Sequence, residues 1–201
     1  MERVEALDLC AKCGGYCCLH IPGRFSPDDL ASSGRLSEKD INDALDAGIA
    51  TIYTSFAAIE GYKAAPIFTL ATRGEGRPPL SLCHDATRCV HLKGKSCKFP
   101  LDERPYECAM MVPAEDASLC RLPDGVIIEP LWVEYQMLLR KVIEKRTGRS
   151  WAQELENQLE TRRATDSYAN GAWTLISYIG MAGNSKEADI TIAKWLESLE
   201  E

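Results

Sequence analysis

The chain has 201 residues, 45% of them hydrophobic and 26% charged, with a formal net charge of -7. This suits one domain, or a compact module with a helical companion, and is neither charged enough for disorder nor apolar enough for a membrane protein. The acidic balance argues against a broad basic surface for nucleic acid or anionic lipid, and without a long apolar run no membrane span is expected.

The unusual total is nine cysteines against three histidines. The first eight residues are charged and lack the apolar stretch of a secretory signal, so a reducing, cytoplasmic compartment is the expectation. Clustered cysteines there point to metal more often than to disulfides. The first cluster is Cys10-Ala-Lys-Cys13-Gly-Gly-Tyr-Cys17-Cys18. Two residues between Cys10 and Cys13 let both sulfurs face one ion or cluster edge, and Gly14 with Gly15 permits tight backbone geometry nearby. Cys17 and Cys18 are adjacent and should point in different directions. Redox thiols are the alternative, but a thioredoxin-like use of Cys10 and Cys13 lacks the strand-rich context it needs.

Two helix starts follow. In Phe25-Ser-Pro-Asp-Asp-Leu30, Ser26 stands as N-cap, Pro27 as the first helical residue, and Phe25 with Leu30 as a hydrophobic staple. Leu36-Ser-Glu-Lys-Asp-Ile41 repeats the arrangement with Ser37 as cap. Ile41, Leu45, Ile49, Ile52, Phe56 and Ile59 recur at helical spacing, which predicts a second helix running to about Glu60. Residues 64–82 hold two short strand candidates and the turn-rich Arg73–Pro79 segment. Cys83, Cys89, Cys97, Cys108 and Cys120 follow in a proline-punctuated region that excludes a long helix. Metal would give this weakly periodic segment a reason to fold. His20, His84 and His91 lie near the cysteines as candidate ligands, although structural or surface roles are simpler. Cys120 reads equally well as a small buried hydrophobe.

Beyond Pro130 the pattern is helical. Trp132, Tyr135, Leu139, Val142 and Ile143 share a face, and Thr147-Gly148-Arg149-Ser150 supplies a stop and a new N-cap, with Gln153 at the capping-box position. Further helices are expected near 151–162, 167–181 and 186–199. The expected fold is therefore mainly α, an irregular cysteine-rich metal-binding core with surrounding helices and little β structure. Residues 1–125 form the cysteine-rich module in this reading, and 126–201 a helical region packed on it.

Two separated blocks resemble the CxxCxxxCC cysteine-cluster family, described as a zinc- or iron-chelating domain. One is Cys10-x2-Cys13-Gly-Gly-x-Cys17-Cys18; the other is Cys89-x2-Leu92-x4-Cys97-Lys98-Phe99, followed by Arg104-Pro105-x2-Cys108 and Pro113. The resemblance covers roughly residues 7–115. It implies ligand roles for Cys10, Cys13, Cys17, Cys18, Cys89, Cys97 and Cys108, with Cys83 as the best eighth cysteine. The leading functional expectation is an iron–sulfur protein, with 4Fe–4S the form considered, serving a redox or metal-assisted role with a protein or redox partner. A structural zinc protein mediating protein interaction is the alternative, and a metal-dependent modification enzyme the third reading. No catalytic residue is assigned; Asp102 and Glu107 would serve only if they faced a centre, and otherwise read as surface acids.

Overall fold

A computed structural model gives the fold, describing residues 14–15, 18–19, 23–57, 65–82, 88–113, 120–122 and 128–165. The chain divides into two units. The first is drawn from Met1–Thr51, Leu70–Pro79 and Asp85–Ile128, the second from Ile52–Thr69, Leu80–His84 and Glu129–Glu201.

The first unit begins with two short helices whose starts follow from their caps. Helix α1 (Pro27–Leu30) carries a capping box: the Asp29 amide donates to Ser26 Oγ and the Ser26 amide donates to Asp29 Oδ2. Helix α2 (Glu38–Asp46) repeats the box with Ser37 and Asp40 and buries Ile41, Ala44 and Leu45. It stops at Asp46, well short of Glu60. Ala47 caps it, and Gly48 takes φ 73°, a conformation that L side chains resist. Strand β1 (Ala50–Ala57) follows directly and pairs with β2 (Ala65–Thr72).

This corrects the mainly α expectation. The chain is mixed α and β, and the described residues include six strands in three two-stranded sheets. Thr51, Ile52, Tyr53, Thr54 and Phe56 are β-branched or aromatic, types that suit a pleated strand better than a helix. The helical spacing of Ile49, Ile52 and Phe56 arises by coincidence, because β1 buries Thr51, Ile52 and Thr54 without clean alternation.

Within the first unit, the end of β2 is extended by residues 23–25. The Phe25 amide donates to the Leu70 carbonyl at 2.9 Å and the Thr72 amide to the Gly23 carbonyl at 2.8 Å. Strands β3 (Leu92–Lys93) and β4 (Ser96–Cys97) form an antiparallel hairpin. A 3-10 turn at Leu101–Glu103 leads to helix α3 (Tyr106–Met110), which Pro105 precedes. Strand β5 (Val112–Pro113) pairs antiparallel with β6 (Cys120–Arg121).

In the second unit, a 3-10 segment (Glu129–Tyr135) runs into helix α4 (Gln136–Thr147), and helix α5 (Trp151–Thr165) follows. Gly148 closes α4 in the left-handed conformation, and Ser150 with Gln153 makes the expected capping box at α5. Trp132, Tyr135, Leu139, Val142 and Ile143 are buried, as their common face requires. The helices expected at 167–181 and 186–199 lie outside the described residues.

Candidate functional site: a thiol-lined cavity

Four cysteines from four segments of the first unit meet at one cavity of about 40 Å³. All four are thiols rather than disulfides; Cys89 is buried and Cys18, Cys97 and Cys108 are half-buried. Three of them are placed by backbone pairing. The Cys18 carbonyl accepts the Cys89 amide at 2.7 Å, bringing those two main chains side by side. The Arg73 carbonyl accepts the Val90 amide, and Gly74 bridges Cys89 in antiparallel fashion, which fixes the Cys89 loop. Cys97 belongs to β4, opposite Leu92 of β3.

Cys108 is positioned by its neighbour. Glu107 is 3% exposed and clamps Arg24: the guanidinium Nη2 stands 2.6 Å from Oε1, Nε donates to both oxygens at 3.0 Å, and the Arg24 amide donates to Oε2 at 2.8 Å. The Glu107 amide donates back to the Arg24 carbonyl at 3.1 Å. This reciprocal clamp presses Gly23 against Cys108. A Cβ built on Gly23 would lie 1.9 Å from Cys108 Sγ, so only glycine allows the approach.

His91 closes another side. Its ring is 2% exposed, tilts against Phe99 at 4.6 Å between centroids, and sets Nε2 3.3 Å from the Ile49 carbonyl. Because a carbonyl only accepts, Nε2 carries the proton and Nδ1 is left as an acceptor. Burial holds the imidazole below its ordinary 6.5, the Ile49 carbonyl opposes that shift, and the Lys98 charge adds to it. The His91 amide points at Cys89 Sγ, 3.4 Å away. Arg104, held by its Nε donating to the Phe99 carbonyl at 3.1 Å, lines the cavity together with Thr72, Pro105 and Met111. Among the described residues, two polar atoms of the lining are buried without a hydrogen-bond partner, His91 Nδ1 and Thr72 Oγ1.

The metal centre expected from the sequence is corrected by this geometry. Among the described residues no group of three or more His, Cys, Asp or Glu side chains is placed to hold a metal ion. The resemblance to the CxxCxxxCC family, the iron–sulfur and zinc cofactors, and the functions built on them fall with it. The physical reason is that lining one cavity differs from converging on one point. Ligation asks sulfurs to stand about 2.3 Å from a common ion. Here Cys89 Sγ faces the His91 amide, and Cys108 Sγ is seated on Gly23.

Of the expected site residues, Cys18, Cys89, Cys97 and Cys108 are brought together. Cys10, Cys13, Cys17 and Cys83 lie outside the described residues, as do His20 and His84. Cys120 belongs to β6. Gly23 and Thr72 carry no local sequence signal; they enter the site through their backbone pairing, which only the fold reveals. No protein-family model matches the chain, and neither a curated protein nor a solved structure does.

Proposed function

We propose that the chain is a thiol redox protein, in which Cys18 and Cys89 close reversibly to a disulfide at the cavity. The observation that carries this reading is the convergence of four thiols from distant segments on one small cavity. Cys18 and Cys89 are the favoured pair because their backbones are joined at 2.7 Å. One such amide-to-carbonyl bond keeps the two Cα atoms within about 6.5 Å, inside the range a disulfide spans.

The step balances as a two-electron oxidation. Both S–H bonds break, one S–S bond forms, and two protons and two electrons pass to an oxidant of the peroxide or disulfide class. A peroxide loses its O–O bond and leaves as water or alcohol plus water, whereas a disulfide leaves as two thiols. A dithiol reductant restores the thiols by exchange through a mixed disulfide. A reducing compartment, such as the cytoplasm, and a protein partner of that thiol class would complete the cycle.

Peptide mapping by mass spectrometry tests the reading. The reduced protein is treated with hydrogen peroxide or with a small disulfide reagent, its remaining thiols are alkylated, and its peptides are analysed. A Cys18–Cys89 linkage that dithiothreitol removes is expected with at least one oxidant. Absence of that linkage with both reagents would overturn the proposal. Thiols that resist alkylation until a chelator is added would overturn it too, because sulfurs protected in that way are ligands.

A further inference from the structure

Two atoms at the cavity wall have a demand that the thiols do not meet. His91 Nδ1 is a buried acceptor, and Thr72 Oγ1 is a buried hydroxyl; neither has a hydrogen-bond partner among the described residues. Both residues line the same cavity as the four cysteines. Leaving such groups unsatisfied is costly, and native proteins normally supply a partner from protein, water or ligand. A partner for this pair must donate to Nδ1, because the Ile49 carbonyl fixes the ring proton on Nε2. It must also engage a hydroxyl that both donates and accepts.

The volume narrows the choice. A water molecule needs roughly 10–15 Å³ of such space, so about 40 Å³ admits a few waters or a molecule of very few heavy atoms. Hydrogen peroxide, with two heavy atoms, fits within it whole, whereas a bulky alkyl hydroperoxide or a peptide disulfide reaches in only by its reacting end. Resting on the thiol redox reading, we infer that the cavity's oxidant is hydrogen peroxide, bound between His91 and Thr72. One O–H donates to Nδ1, and the Thr72 hydroxyl donates to the second oxygen.

The chemistry then runs in two balanced steps. Cys89 is the nucleophile, since the His91 amide at 3.4 Å from its sulfur favours charge there. Its thiolate attacks one peroxide oxygen, an S–O bond forms, and the O–O bond breaks. The other oxygen leaves as hydroxide beside Arg104, takes up a proton and becomes water. The sulfenic acid on Cys89 is next attacked by the Cys18 thiolate; the S–S bond forms and a second water departs.

The test compares oxidants on the full-length reduced protein by stopped thiol titration and peptide mapping. Hydrogen peroxide should form the Cys18–Cys89 linkage at least about tenfold faster than cumene hydroperoxide, the equivalent of one good hydrogen bond, 1.4 kcal/mol. Thr72→Val keeps the shape and removes the hydroxyl. It should lower the ratio of the hydrogen peroxide rate to the disulfide-reagent rate by about the same factor. An unchanged ratio in Thr72→Val, or equal rates with both hydroperoxides, would overturn the inference. If the disulfide reagent forms the linkage and hydrogen peroxide does not, this inference fails while the redox reading stands. If neither reagent forms it, the redox reading itself has failed.

Discussion

At the residue scale, the acids show how far side-chain identity alone can mislead. Glu107 reads in sequence as a surface acid or as a catalytic group beside a centre; in the fold it is buried and bound to Arg24 by four hydrogen bonds, one from the backbone amide and three from the guanidinium. Removing one partner of such a pair strands the other charge, at a cost of about 3–5 kcal/mol. Glu107→Ala should therefore lower the urea midpoint strongly and make Cys108 more open to alkylation, whereas Glu103→Ala, on an exposed site, should do neither. Asp40 gives a pH prediction. Hydrogen bonds from Ser32 and Ser37 lower its carboxyl from the usual 3.8 to about 2. A depressed acid stabilises the fold above its unfolded value and loses that contribution as pH falls. Asp40's share should thus be present above pH 3.8 and vanish on the way down to about 2. Acid titration followed by circular dichroism checks this: Asp40→Asn should flatten the stability change across that window.

At the scale of elements, the caps were legible and the strand was not. Ser26, Ser37 and Ser150 announce their helices because an N-cap depends on residues three apart in sequence. The end of α2 depends instead on Gly48 and on the β-branched run after it, two signals that the periodicity of the apolar residues masks. Gly48→Val should destabilise the protein by about 1–2 kcal/mol in a denaturant titration, since φ 73° penalises an L side chain and a Cβ there meets Arg73 Nη1 at 3.2 Å. In the second unit, Gln136 acts as a prosthetic strand. Its carboxamide accepts the Phe68 amide at 2.8 Å and donates to the Phe68 and Trp132 carbonyls at 2.9 Å, all while 1% exposed. Gln136→Leu conserves bulk but leaves those buried groups unmatched, so a loss of about 2–4 kcal/mol is expected, measurable by thermal unfolding. Nothing in the spacing around position 136 distinguishes it from an exposed helical glutamine; its role depends on a strand 68 residues earlier.

At the scale of the whole molecule, cysteine grouping was legible and cysteine chemistry was not. The resemblance groups seven cysteines with Cys83 as an eighth, and the four of them that are described, Cys18, Cys89, Cys97 and Cys108, line one cavity. Spacing along the chain does not say whether sulfurs converge on a point or line a volume; the Arg24–Glu107 clamp and the fixed ring of His91 decide that, and both come from pairings across long stretches of chain. A bond between Cys18 and Cys89 would close a loop of about 70 residues, which on loop-entropy grounds stabilises the folded state by about 4 kcal/mol. Oxidised protein should accordingly unfold at higher urea than reduced protein, and Cys18→Ser should erase the difference.

Gly23 has a further consequence. The space its Cβ would need is already filled by a sulfur, so position 23 registers the presence of the cavity in its own tolerance to change. In a saturation library scored for folded protein, every replacement there should be depleted, while the same replacements at Met137, which is 73% exposed, pass freely. Pairing Gly23→Ala with Cys108→Ala frees the volume the sulfur held but leaves the Cys108 nitrogen and Cβ at 3.2 and 3.3 Å from the added Cβ, so it should recover part of the folded protein without recovering a fourth thiol. A single atom's worth of missing side chain would then serve as a genetic marker for the site, detectable before any substrate is in hand.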